Sequence, residues 1–352
     1  MAFELGIYSF GEITTDPVTG KLPTARQRIR DYIEQAEVAD QVGLDVFALG
    51  EHHRSDFAVS ATSVVLSAIA ERTRDIRLSS AVTVLSSEDP VRVFQQYATL
   101  DLISGGRAEI IAGRGSYLES FPLFGYDLAE YDALFAEKLD LLLAIRERNP
   151  ITWSGSYRPA LHEADIAPRP LQQRLPVWLA VGGAPASVAR AGRLELPLAL
   201  AIIGGALPRF VPLSRLYRQA AQEAGHDPAG LRLSINSPGF VASTSQAARD
   251  LSYPYFDRGM LENFHERGHG FHTPRPAYDR QSAREGALVV GSPQEIIDKV
   301  MYQHELFGHG RLLIQLGFGG VPQRETLRAI ELLGTEVAPV VRKELSPRIP
   351  PP

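Results

Sequence analysis

Among the 352 residues there is no cysteine. Disulfides, thiolate nucleophiles and cysteine-ligated metal sites are therefore excluded, and the absence fits a reducing compartment. Long hydrophobic runs are missing too: the longest uncharged apolar stretch, 196–207, is too short to cross a bilayer. The first ten residues carry no basic segment and no small-residue cleavage site, so they read as a strand rather than a secretion signal. The expectation is a cytoplasmic protein without a membrane partner. Lys and Arg form no block or stripe, and 36 basic residues against 41 acidic ones leave a formal charge of −5, which argues against a nucleic-acid partner. A Walker A loop, the zinc-protease pattern and the serine nucleophile elbow are all absent.

What is present is ordinary globular composition, 44% apolar and 22% charged. Short apolar runs alternate with longer amphipathic stretches. The runs predict strands at 3–8, 46–49, 76–85, 108–112, 177–181, 198–203, 231–240 and 312–316. Helices are predicted from Thr24, from a cap near Ser60 (with Val64, Val65, Ala68 and Ile69 inward) and from Pro90, and over 131–145, 186–194, 208–224, 293–307 and 322–341. Several strands are apolar on nearly every residue, as expected when both faces of a parallel sheet are covered. An open doubly wound sheet would need about five or six strands and a switch point. The count of strand–helix pairs favours a closed (β/α)₈ TIM barrel. The reading is one barrel domain over 1–345, with an insertion at 245–288 after strand seven and a frayed tail at 346–352. Such an insertion would lie on the catalytic face, where it would serve as a lid or as a surface loop without a role. A second break, 149–175, reads as a surface excursion between the halves.

In a barrel the chemistry belongs to the C-terminal ends of the strands. Strand two is followed by Gly50-Glu51-His52-His53-Arg54, ionisable residues that are costly at a buried strand end unless a pocket uses them. Histidine titrates near neutrality and suits proton transfer. Strand four leads to Gly113-Arg114-Gly115-Ser116, a weak motif alone, in which glycine lets backbone approach an anion and Arg offers a two-pronged donor. Strand five leads through Gly182-Gly183-Ala184-Pro185-Ala186-Ser187 straight into a helix, an arrangement that favours phosphate. His265, His269 and His272 have a spacing that mimics a metal triad but lie in the insertion without a supporting carboxylate pattern, so no metal is expected.

Several blocks, in order along almost the whole chain, resemble the bacterial luciferase family: Leu49-Gly50-Glu51-His52-His53; 79–85 with Asp89-Pro90-Val91-Arg92; Ser104-Gly105-Gly106-Arg107; 113–116; Val290-Gly291-Ser292-Pro293; and Gly319-Gly320-Val321-Pro322. The resemblance implies a monooxygenase that uses reduced FMN and O₂ on a small organic substrate, with a separate flavin reductase as partner and a homodimer as the assembly. By the same resemblance His52, beside Glu51, is the catalytic histidine that assists proton movements during the oxygen chemistry. Arg114, with Gly115, approaches the cofactor phosphate. Gly182, Gly183 and Ala184 stand where relatives place polar phosphate ligands, so that only backbone N–H groups and Ser187 serve here. Ala81–Val82, ahead of Thr83, matches a non-prolyl cis peptide that supports the flavin ring. Gly113 replaces the reactive cysteine of luciferase, which argues against light emission. Two other readings share the barrel: a deazaflavin-dependent oxidoreductase and a flavin-binding protein without catalysis, the latter disfavoured by Glu51-His52. A metal-dependent hydrolase comes last.

Overall fold

The computed structural model describes residues 2–115, 117–262 and 270–346. Eight short apolar runs become β1 (Glu4–Ser9), β2 (Val46–Leu49), β3 (Arg77–Ser80), β4 (Ala108–Gly113), β5 (Val177–Val181), β6 (Leu198–Ala201), β7 (Leu233–Val241) and β8 (Arg311–Gln315). All neighbours pair in parallel, and the register runs round a closed circle. Gly6 meets Val46, Ala48 meets Ser79, Ser79 meets Glu109, and Ile111 meets Trp178. Ala180 meets Ala199, Leu200 meets Ile235, Ile235 meets Leu312, and Leu313 returns to Gly6. This is a (β/α)₈ barrel.

Alternation along each strand divides the apolar side chains into two layers. Tyr8, Ala48, Ile111, Trp178, Ala199 and Leu313 fill the inside of the barrel. Ile7, Leu49, Ile110, Leu179 and Ile314 point outward into a second core shared with the helices. At the strand starts the interior is closed by ions. The buried Arg311 pairs with Glu109 at 2.5 Å and with Glu4 at 2.6 Å, and its guanidinium lies 4.1 Å from the centre of the Trp178 ring. The bottom of the barrel is therefore plugged, and access is from the other rim.

Three expectations need correction. The long run at 76–85 does not stay one strand: β3 stops at Ser80, and only Thr83–Val84 rejoins β4. The helix expected from Ser60 begins at Thr62, without a side-chain cap, and its Val64 is 68% exposed rather than inward. The polar insertion is largely helical, with helices Ser245–Glu262 and Arg275–Ser282 followed by a short strand, Val289–Gly291, that extends β7. Pro254 is carried inside a helix, and Pro276 occupies a helical first turn, where a missing N–H is tolerated. The excursion at 149–175 contains a small antiparallel hairpin, Ile151–Trp153 with Leu161–Ala164. His265, His269 and the tail beyond Ser346 lie outside the described residues.

Candidate active site

Because all eight strands run in parallel, the segments that follow them share one rim. A narrow cleft opens there. It is lined by Phe10 after β1, Glu51, His52 and His53 after β2, Val82 and Val84 after β3, and Gly115, Tyr117, Glu119 and Ser120 after β4.

His52 is buried among rings. Its imidazole centre lies 4.2 Å from Phe57, 4.5 Å from Tyr117 and 5.5 Å from Phe10. Nδ1 lies 2.9 Å from Glu119 Oε1. Glu51, also buried, accepts the backbone N–H of Val84 at 3.2 Å, which ties the turn after β2 to the segment after the break in β3. Its Oε1 is 3.6 Å from His53 Nε2. This carboxylate holds His53 above the ordinary histidine range, against the opposing effect of burial. Burial, and then the charge of Glu51, raises the Glu88 carboxyl. Burial lowers the Lys138 amine to about 8, where it donates to Ser86 O at 2.7 Å and lies 3.8 Å from the Tyr126 ring.

The break in β3 is the peptide Ala81–Val82, which is cis. It puts Val82 beside Gly113, where a Cβ would sit 2.7 Å from Val82 Cγ2. Any larger side chain at 113, cysteine included, would push against the segment that lines the cleft. Thr83 is buried and its hydroxyl faces Tyr97 Oη at 3.4 Å.

Arg114 turns away from this cluster. It pairs with Asp132, in the first turn of the helix Tyr131–Glu147, and its guanidinium lies over the Tyr131 ring at 5.1 Å from the centre. The turn after β5 is separate from the cleft lining as well. Gly183 has φ 125°, a conformation only glycine adopts easily, and leads through Ala184 into the helix Pro185–Arg193. A Cβ at Gly182 or Gly183 would meet nothing within 4 Å, so the turn borders open space. Ser187 is buried in the first turn of that helix. The site residues named in the sequence thus fall into two groups on one rim. Glu51, His52, Val82 and Gly115 line one cleft, with Ala81 buried behind Val82. Arg114 and the turn 182–187 follow the neighbouring strands β4 and β5, outside that lining.

Sequence reasoning missed Glu119. It stands 67 residues from His52, just ahead of the short helix Ser120–Phe124, and no local pattern links the two. The only signal was the run of ionisable residues after β2, which demanded partners without naming them. Among the described residues, no group of three or more His, Asp or Glu side chains is placed to hold a metal. His272 instead meets Asp257 at 2.9 Å. No helix among the described residues is long and apolar enough to cross a membrane.

A family model described as luciferase-like monooxygenase matches residues 3–310. The 4-hydroxyprotoasukamycin monooxygenase of Streptomyces nodosus subsp. asukaensis is 28% identical over 325 residues, 87% of this chain and 85% of that protein. The F420-dependent glucose-6-phosphate dehydrogenase of Amycolatopsis mediterranei is 32% identical over 173 residues, 47% of this chain and 51% of its own. Among solved structures, the oxygenating constituent of 3,6-diketocamphane monooxygenase from Pseudomonas putida, a type II Baeyer-Villiger enzyme in complex with FMN, superposes with a TM-score of 0.75. It is 22% identical, and the match covers 96% of this chain and 99% of that one.

Proposed function

Since the chain belongs to the luciferase-like monooxygenase family, we propose that it is the oxygenase of a two-component system, using reduced FMN and O₂ to oxygenate a small organic substrate. One observation carries the reading: His52, Glu51, Val82 and Gly115 line a single cleft on the open rim of the barrel. The residues fit a flavin. The apolar Val82 offers a surface for a ring, the open turn at Gly182–Gly183 leaves room beside a helix start, and Arg114 supplies a cation on the neighbouring strand end. Bound reduced FMN would supply the electrons that activate O₂.

The chain's own part is positioning and proton handling. His52, held by Phe57 and Tyr117, presents its ring to the cleft, and Nε2 accepts or returns a proton there. Glu51 anchors the segment after the cis peptide through Val84, so that Val82 keeps its place in the wall. Phe10, Val82 and Val84 supply the apolar part of a lining that is otherwise mostly polar. A separate reductase would supply the reduced flavin, a division of labour that fits the Pseudomonas protein's being one constituent, the oxygenating one, of its monooxygenase. A homodimer is the proposed assembly. Static light scattering of the purified protein tests it.

Purified protein should bind reduced FMN in an anaerobic titration. It should consume O₂ only when a flavin reductase and a nicotinamide donor are added. A deazaflavin-dependent oxidoreductase is the second reading, favoured by the Amycolatopsis relative. Tight binding of the deazaflavin coenzyme, with no binding of FMN, would replace the first reading by the second. His52→Ala should leave FMN binding within about threefold while lowering turnover by about 10²–10⁴.

A further inference from the structure

His52 reaches across the rim to a residue that neither its own turn nor the family comparison singles out. Its Nδ1 is 2.9 Å from Glu119 Oε1, and the same oxygen accepts the backbone N–H of His53 at 3.3 Å. A carboxylate can only accept, so the ring proton must sit on Nδ1 and the lone pair on Nε2. No side chain among the described residues bonds Nε2, which is left for whatever enters the cleft. Phe57, Tyr117 and Phe10 hem the ring on its other sides, so a flip would break the Glu119 bond without providing another.

We propose that Glu119 is the positioning residue of His52: it fixes the Nδ1–H tautomer, stabilises the imidazolium formed when Nε2 takes a proton from a ligand, and makes that basicity depend on the segment after β4 being in place. The inference rests on the monooxygenase reading for its purpose but not for its geometry. The proton step is simple: the ligand's acidic X–H bond breaks, the Nε2–H bond forms, and the new positive charge stays on the ring beside the Glu119 carboxylate. No proton moves to Glu119.

Other charged groups around the ring do not replace this partner. On its own turn, Glu51 faces His53 at 3.6 Å, and Arg54 is paired with Asp56 at 2.5 Å while its guanidinium lies over the Phe57 and Tyr117 rings. From the segment after β3, Glu88 acts on Glu51 and His53. From the segment after β4, Glu119 makes the direct contact, and Tyr117 meets His52 with a ring edge.

The test is the ¹⁵N NMR spectrum of the His52 ring in the flavin-free protein, with His52→Gln and His53→Gln variants to assign the two signals. The wild type should show the Nδ1–H tautomer, and Glu119→Ala should raise the Nε2–H population about tenfold. Glu119→Asp should recover most of the wild-type pattern. In turnover assays Glu119→Ala should lower kcat while KM changes less. An Nε2–H tautomer in the wild type overturns the proposal, as does an unchanged spectrum in well-folded Glu119→Ala. Failure of reduced FMN to bind would sink the monooxygenase reading alone, because the spectrum needs no flavin.

Discussion

Arg114 meets a carboxylate before it can meet a ligand. Its pair with Asp132 is mostly exposed on the acidic side, at 77% of that side chain, and exposed pairs are worth only about 0–1 kcal/mol. A phosphate with two charges competes easily for the guanidinium, yet Asp132 remains nearby and repels it, at about 1 kcal/mol per charge pair in water-like surroundings. On the proposed reading, Asp132→Asn should tighten FMN about three- to tenfold and leave riboflavin unchanged. Arg114→Ala should weaken FMN about tenfold or more, again without affecting riboflavin. Fluorescence titrations with both flavins check this, and equal effects on the two would deny Arg114 its phosphate role. Of these residues only Arg114 was legible in the sequence. Asp132 lies 18 positions away, in the first turn of a helix, where an acidic residue has the ordinary explanation of matching the helix dipole.

At the level of elements, the helix Pro90–Ser104 was readable at both ends. Pro90 occupies its first turn and Gly105 closes it in the left-handed conformation, φ 69°. Asp89 caps it, accepting from Val91 N–H at 2.9 Å and Arg92 N–H at 3.2 Å. Its second oxygen takes Arg158 Nε at 2.9 Å, from the loop of the hairpin. Asp89→Ala should cost about 1–2 kcal/mol, whereas Asp89→Asn should retain most of the cap. Thermal melts of the two variants should fall in that order. The elements that escaped the sequence reading are those whose pattern is ambiguous. The run 76–85 is uniformly suited to a strand, and nothing local marks the turn-out at Ala81–Val82. The helix Ser120–Phe124 is five residues long, too short for periodicity to show, although it carries Glu119's neighbours into the cleft.

For the molecule as a whole, stability leans on buried charge at the closed end. Burial by itself would raise the Glu4 carboxyl, but Arg311, followed by Arg232, holds it below the usual carboxylate range. Arg311→Met would leave Glu109 buried without its partner. Loss of about 3–5 kcal/mol is expected, measured by denaturant unfolding. His309 gives the pH dependence. It is fully buried against Phe3, and burial, followed by the charge of His304, lowers it from the ordinary 6.5 of histidine to about 3. The folded state thus holds the neutral ring, while the unfolded chain protonates near 6.5. This contribution is complete above that pH and is lost progressively as the pH falls from about 6.5 toward 3. Between pH 7 and 5 the wild type should lose stability faster than His309→Phe. Parallel slopes would refute the assignment.

The alternation of apolar runs with capped amphipathic stretches pointed to the barrel, since eight strand–helix pairs are the count of a closed parallel sheet rather than the five or six of an open one. It also put His52 and Arg114 at strand ends, because the end of a buried strand is where a polar run has to face solvent or a ligand. Which of these residues share a cleft, and that Glu119 and Asp132 are their partners, was decided only by the tertiary structure. Ring closure brings the segments after β2 and β4 together across 67 residues, and the connection after β4 folds back to set Asp132 on Arg114 across 18; no periodicity of a chain encodes either contact.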